Sequence, residues 1–196
     1  MLELVLVRHG QTDGNKEGIY YGWFDLPLNE LGKAQALKVR EKIKNMTFEA
    51  IYTSPLLRAL DTTSRIKPDQ DTPILLREDL KEIHFGEWEG LTYSEIQENF
   101  PQPWKEWCEN WVDFRFPRGE SFRQLYQRVT CEIDHIIQSH QDGKVLIVSH
   151  HGCIRGIISY LLGTGIEGYW RYKIKPGTIS RIEIADGYSV LTGLNQ

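Results

Sequence analysis

Short unbroken apolar runs alternate along this chain with stretches of helical period. Leu2, Leu4, Val5, Leu6 and Val7 make the first run, and Val145 to Val148 make another. Both are too short for typical helices and rich in β-branched and aliphatic residues. That pattern predicts strands covered on both faces, as in a parallel sheet. Ile51 with Tyr52, and residues 73–76, read as further short strands. Residues 178–185 and 188–194 read as two more, joined by a turn at Asp186 and Gly187. Between them, residues 31–46 read as a helix with Asn29 as its N-cap. Ser54 and Pro55 suit the N-cap and first position of another. Thr92 with Glu95, and Ser121 with Gln124, form capping boxes. The second box opens a long helix with Phe122, Leu125, Val129, Ile133, Ile136 and Ile137 on one face. Strands alternating with helices predict an α/β fold, a three-layer α/β/α sandwich around a mainly parallel sheet with an antiparallel edge.

The ends of the apolar runs carry the chemistry. The first run stops at Arg8-His9-Gly10, and the later one at Ser149-His150-His151-Gly152. The helical pattern Ile154, Ile157, Ile158, Leu161 and Leu162 follows the second. Ligands of open α/β sheets bind beyond the carboxyl ends of the strands, so His9 and His150 are expected at one edge of one sheet. His9 can serve as nucleophile or acid/base, and Arg8 can fork two hydrogen bonds onto an oxyanion. Gly10 is expected to let the backbone approach a ligand. His150 precedes a helix N-terminus, a natural anion site. Arg58 lies in the first turn after Ser54-Pro55 and brings a second guanidinium to the same edge. Residues 80–90 add three carboxylates, Glu82, Glu87 and Glu89, among aromatic residues and glycines. A carboxyl group beside apolar rings can act as a general acid, and the residues alone leave open which of the three does so.

Residues 84–120 are the least regular stretch and hold Trp88, Trp104, Trp107 and Trp111 with Phe100, Phe114 and Phe116. They read as a helical lid inserted into a single domain spanning 1–196. Most of these rings are expected to pack the lid itself, with Tyr20, Tyr21 and Trp88 as the candidates for substrate contact. With 196 residues, the chain can build one sizeable core. Its formal net charge of −4 gives no basic footprint for nucleic acid, so an anion site must be a local positive pocket. No apolar stretch approaches the length of a membrane span. The three cysteines, Cys108, Cys131 and Cys153, lack metal-ligand spacing and read as reduced thiols of a cytoplasmic protein. Cys153, beside the strand-end histidines, reads as packing and not as a nucleophile.

Four blocks together resemble the histidine phosphatase superfamily, in its phosphoglycerate mutase-like branch. They are Arg8-His9-Gly10-Gln11-Thr12, residues 52–59 from Tyr52 to Ala59, residues 82–90 from Glu82 to Gly90, and Ser149-His150. A narrower resemblance is to the α-ribazole phosphatases. It rests on residues 18–22, 80–89 and 117–122 and on Trp107-Cys108-Glu109-Asn110-Trp111. The resemblance implies a phosphoglycerate mutase-like fold and a phosphomonoesterase working through a phosphohistidine, without metal or cofactor, on a small phosphate ester. The substrate it implies is α-ribazole 5′-phosphate, in assembly of the cobalamin nucleotide loop. Alternatives are a broad-specificity or sugar-phosphate phosphatase and, less favoured, a phosphoglycerate mutase. In this scheme His9 is the nucleophile, Glu82 the acid and then base, and a protonated His150 joins Arg8 and Arg58 on the phosphate. Asn15 and His151 are further phosphate contacts, and Thr12 orders the loop. Tyr21 stands where many relatives carry Gln, and His151 where a small residue is common. Both departures bear on the leaving-group side of the site.

Overall fold

The computed structural model describes residues 1–69 and 71–196. Six strands form one sheet: β1 (Leu2–Arg8), β2 (Ala50–Thr53), β3 (Ile74–Leu76), β4 (Gly143–Ser149), β5 (Ile179–Ala185) and β6 (Tyr188–Gly193). Their spatial order is β3-β2-β4-β1-β5-β6. The first four in that order are mutually parallel, whereas β5 and β6 add an antiparallel edge. Asp186 and Gly187, which link the last two strands, both have positive φ (50° and 79°). This is the two-residue hairpin turn whose twist matches the strands it joins.

The alternation of side chains sorts the sheet into two cores. Leu4, Leu6, Tyr52, Val145 and Ile147 point to one face, where α6 (Phe122–Ser139) and α7 (His151–Leu161) pack. Val5, Val7, Ile51, Leu146 and Val148 point to the other, against α2 (Glu30–Ile43) and α3 (Leu57–Ile66). All seven residues of β1 are buried, as expected of a strand covered on both sides. The short α1 (Asp13–Glu17) follows β1, and α4 (Tyr93–Asn99) and α5 (Pro101–Glu109) lie within 84–120. Ser121 and Thr92 make the expected capping boxes, and Asn29 caps α2 by accepting the Gly32 N–H.

One local expectation is corrected. Ser54 does not cap α3. That helix begins at Leu57, and its first N–H is taken by the Asp25 carboxylate at 2.9 and 3.0 Å from a distant loop. At Gly10 the structure shows a packing requirement. A Cβ there would stand 2.3 Å from the Gly32 carbonyl oxygen, so the glycine is required by the close crossing of the β1 exit and the start of α2. Among the described residues, no helix is long and apolar enough to cross a membrane.

Candidate active site

The strand register builds the site. Arg8 pairs with Ser149, and Val148 pairs with Thr53, so three parallel strands end within one residue of each other. The next residue of each is His9, His150 or Ser54. The His9 N–H donates to Ser149 O at 3.0 Å, and the Ser54 N–H to Val148 O at 3.1 Å, which extends the ladder by one step. The His9 and His150 rings lie 5.1 Å apart, centroid to centroid.

His9 is buried, and its Nδ1 is 2.7 Å from the Gly10 carbonyl oxygen. A carbonyl only accepts, so Nδ1 carries the proton and Nε2 presents its lone pair. Burial holds the His9 pKa well below its ordinary value, and the guanidiniums of Arg58 and Arg8 press it further down. The ring is therefore neutral at pH 7. His150 is held the other way round: its Nε2 is 2.7 Å from Ser54 Oγ. Ser54 Oγ already accepts the Leu56 N–H at 3.3 Å. A serine oxygen can accept twice, so two tautomers fit this contact; the one in which Ser54 donates to Nε2 puts the imidazole proton on Nδ1, the nitrogen without a partner among the described residues. Burial, then Arg58, keeps the His150 pKa well below normal as well. The lowered pKa favours a neutral His150 where a protonated one was expected, and in the Nδ1–H tautomer the neutral ring still donates. His151 opens α7 beside it, its pKa lowered to about 2 by burial and the nearby arginines.

Two buried guanidiniums face these rings. Arg8 donates to Ile174 O at 2.6 Å, and Arg58 to Gly22 O at 2.6 Å and Phe24 O at 3.3 Å. Arg58 also stacks over the Tyr21 ring, 4.8 Å from its centroid, and Thr12 Oγ1 donates to the Tyr21 hydroxyl at 2.8 Å. Tyr21 thus fills the space beside Arg58 and orders the Thr12 loop. Arg8 Nε, Arg58 Nε, His150 Nδ1 and His151 Nε2 are all buried without a hydrogen-bond partner among the described residues. An unpaired buried polar group costs about 1–3 kcal/mol. Arg8, Arg58 and His151 line one pocket, with His150 behind it at the strand end, and their unpaired nitrogens suit an oxyanion.

The structure separates the three carboxylates. Glu82 lines the pocket; its Oε2 accepts the Gly152 N–H at 2.9 Å, at the start of α7, and its Oε1 accepts the Ile83 N–H at 3.0 Å. Gly152 leaves room for this carboxylate: a Cβ there would stand 2.3 Å from Glu82 Oε1 and displace it. Glu89 instead clamps the 22–24 loop by accepting the N–H groups of Trp23 and Phe24. Glu87 pairs with the exposed Arg118 on the surface. Only position relative to α7 distinguishes them, and that is invisible in the spacing.

The pocket, about 270 Å³, brings together Arg8, His9, Asn15, Tyr20, Tyr21, Arg58, Glu82 and His151. Asn15 Oδ1 is committed to the Thr12 N–H at 3.1 Å, so a ligand contact from this residue would use its amide nitrogen. Trp88 is a correction. It is fully buried away from the pocket, with the rings of Phe100, Trp104, Trp107, Phe114 and Phe116 centred 5.0–6.3 Å away. It is the core around which segment 84–120 packs. Besides Gly14 and Gly18, two pocket residues escaped sequence reasoning, Ile19 and Phe85. Neither carries a charge or a period, and only proximity to Glu82 marked Phe85. Cys153 is inert: burial pushes its thiol up to about 12, and Sγ donates to Lys81 O at 2.8 Å. No cluster of three or more metal-binding side chains occurs among the described residues.

Two buried histidines and two buried arginines at the strand ends, with Glu82 lining the same pocket, make a candidate anion site on this α/β scaffold. Residues 4–196 match the family model of the histidine phosphatase superfamily (branch 1), and the chain belongs to that superfamily. It is 29% identical over 194 residues to the adenosylcobalamin/α-ribazole phosphatase of Escherichia coli, covering 99% of this chain and 96% of that protein. It is equally similar, 29% over 195 residues, to phosphoserine phosphatase 1 of Hydrogenobacter thermophilus, covering 100% of this chain and 92% of that one. The solved α-ribazole phosphatase from Shigella flexneri superposes with a TM-score of 0.94 at 29% identity, over 99% of this chain and 96% of the other. Family and relatives together support a phosphatase.

Proposed function

We propose that the protein hydrolyses α-ribazole 5′-phosphate to α-ribazole and phosphate through a phosphohistidine. The observation that favours this substrate is the division of the pocket. Both arginines that line it belong to the phosphate end, and Ile19, Tyr20 and Phe85 form an apolar and aromatic outer wall. Such a wall suits a riboside better than the charged ammonium and carboxylate of phosphoserine, the substrate that the other relatives raise.

In the first step His9 Nε2 attacks phosphorus as the ester P–O bond breaks. Glu82, as the acid, gives its proton to the departing ribose oxygen. In the second step the Glu82 carboxylate takes a proton from water, whose oxygen attacks phosphorus as the P–N bond breaks. Phosphate leaves and Glu82 is again protonated. Splitting the hydrolysis in this way replaces one hard displacement with two easier ones. Arg8, Arg58 and the Nδ1–H of His150 bind the phosphoryl oxygens. Phosphoryl transfer depends chiefly on such positioning and charge stabilisation.

The test is phosphate release, with a chelator present, from α-ribazole 5′-phosphate, phosphoserine, 3-phosphoglycerate and fructose 2,6-bisphosphate. A kcat/KM preference for α-ribazole 5′-phosphate of about a hundredfold is expected. Comparable values across the panel would make the enzyme a general phosphatase, and a preference for phosphoserine would reassign it.

A further inference from the structure

A second cleft, about 260 Å³, is lined by Trp107, Cys108, Trp111 and Trp170. Most lid rings turn inward, but Trp170 stands 47% exposed at its edge. The surface is largely apolar, and the indoles of Trp111 and Trp170 meet at 5.4 Å with a 68° tilt. Two chains of contact join this cleft to the catalytic pocket. Arg155 is one helical turn beyond His151 on α7, so the two share a face. Its guanidinium lies over Trp170, 5.0 Å from the ring centroid. Arg155 Nε donates to Tyr172 O, and its two amino nitrogens have no hydrogen-bond partner among the described residues. The second chain runs through Tyr169. Glu82 Oε1 and the Tyr169 hydroxyl lie 2.3 and 2.7 Å from one point beside Gly152. The Tyr169 ring in turn packs on Trp170 at 5.1 Å and on Trp111 at 6.0 Å. One side chain therefore separates Glu82 from the indole cleft.

The catalytic pocket, about 270 Å³, falls below the roughly 300–1,000 Å³ of sites that enclose drug-sized ligands. A nucleotide-sized ester anchored there by its phosphate must extend outward. We propose that the Trp107–Trp111–Trp170 cleft is the subsite for the heterocyclic base of such a nucleoside-like substrate, with Arg155 at the ribose between base and phosphate. This rests on the α-ribazole reading and specifies where its leaving group binds. The occupant is an aromatic base because stacking on indole faces rewards a flat π-system, and the cleft offers no carboxylate or ammonium partner.

The experiment compares kcat/KM for α-ribazole 5′-phosphate, guanosine 5′-phosphate and ribose 5-phosphate in the wild type, Trp170→Ala and Trp170→Phe. Trp170→Ala is expected to lose about tenfold on the base-bearing esters, mainly through KM, and less than twofold on ribose 5-phosphate. Trp170→Phe should recover most of the loss. Equal losses on all three, or none on any, overturn the subsite. If the wild type shows no preference for α-ribazole 5′-phosphate over ribose 5-phosphate, the substrate reading fails. The subsite then survives only if guanosine 5′-phosphate shows a Trp170-dependent preference. Cys108 gives an independent readout, because it lines the cleft and is exposed, as Cys131 is elsewhere. In His9→Ala protein, saturating α-ribazole 5′-phosphate should slow iodoacetamide alkylation of Cys108 at least threefold and leave Cys131 unchanged, while inorganic phosphate protects neither. Absence of this protection overturns the proposal. So does Cys108 protection that rises with protein concentration alone, which would put a second copy of the chain in the cleft.

Discussion

His9 and His150 lie side by side at the ends of adjacent strands, 5.1 Å apart, yet each is held by the opposite ring nitrogen. His9 gives its Nδ1–H to the Gly10 carbonyl and offers the Nε2 lone pair. His150 is held through Nε2 by the Ser54 hydroxyl, and when that hydroxyl donates, Nδ1–H is the free side of the ring. Burial and the same two arginines keep both neutral. One field therefore suits the two proposed roles, lone pair toward phosphorus for His9 and N–H toward oxygen for His150, and the partner of the far nitrogen distinguishes them. The lesson concerns tautomers: the hydrogen bond behind a histidine sets what stands in front of it.

Removing the lone pair should have the largest effect. His9→Ala is expected to lower kcat/KM by on the order of 10⁴-fold or more and to abolish acid-labile phosphoenzyme in a rapid-quench experiment. Retained phosphoenzyme would place the nucleophile elsewhere. The partner of His150 comes next. Ser54→Ala should reduce kcat/KM about three- to tenfold, the worth of one orienting hydrogen bond, and weaken inorganic phosphate inhibition in step. Ser54→Thr, which keeps the hydroxyl, should restore both. If Ser54→Ala leaves phosphate inhibition unchanged, Ser54 does not orient His150.

The smallest effect concerns neutrality itself. A histidine kept neutral in the fold binds a proton more readily in the unfolded chain. The unfolded state therefore gains protons as pH falls below about 6.5, and stability drops with it. For half-buried His151, with its pKa near 2, that window runs from about 6.5 down to about 2. Urea unfolding at pH 7.5 and pH 5 should show His151→Gln losing about 1–2 kcal/mol less than the wild type over that interval. An equal loss would mean that His151 titrates alike in both states.

Much of this arrangement was legible before any coordinates, for identifiable reasons. Strand–histidine junctions, capping boxes at Thr92 and Ser121, and the apolar face of α6 are local patterns. A strand end or an N-cap is determined by residues within a turn of one another. Arg8, His9, Arg58 and His150 could be placed at one sheet edge because parallel strands bring their carboxyl ends together. The chain by itself therefore determined the layered α/β scaffold and the cationic, imidazole-bearing edge. Only the tertiary structure decided what depended on contacts between distant segments. It turned Ser54 from a helix cap to the partner of His150 and brought Asp25 to α3 in its place. It chose Glu82 over Glu87 and Glu89 by setting it against the first turn of α7. It also drew Trp88 into the centre of its segment, because a large apolar ring contributes most where it is fully covered, whatever chemistry lies nearby in the chain.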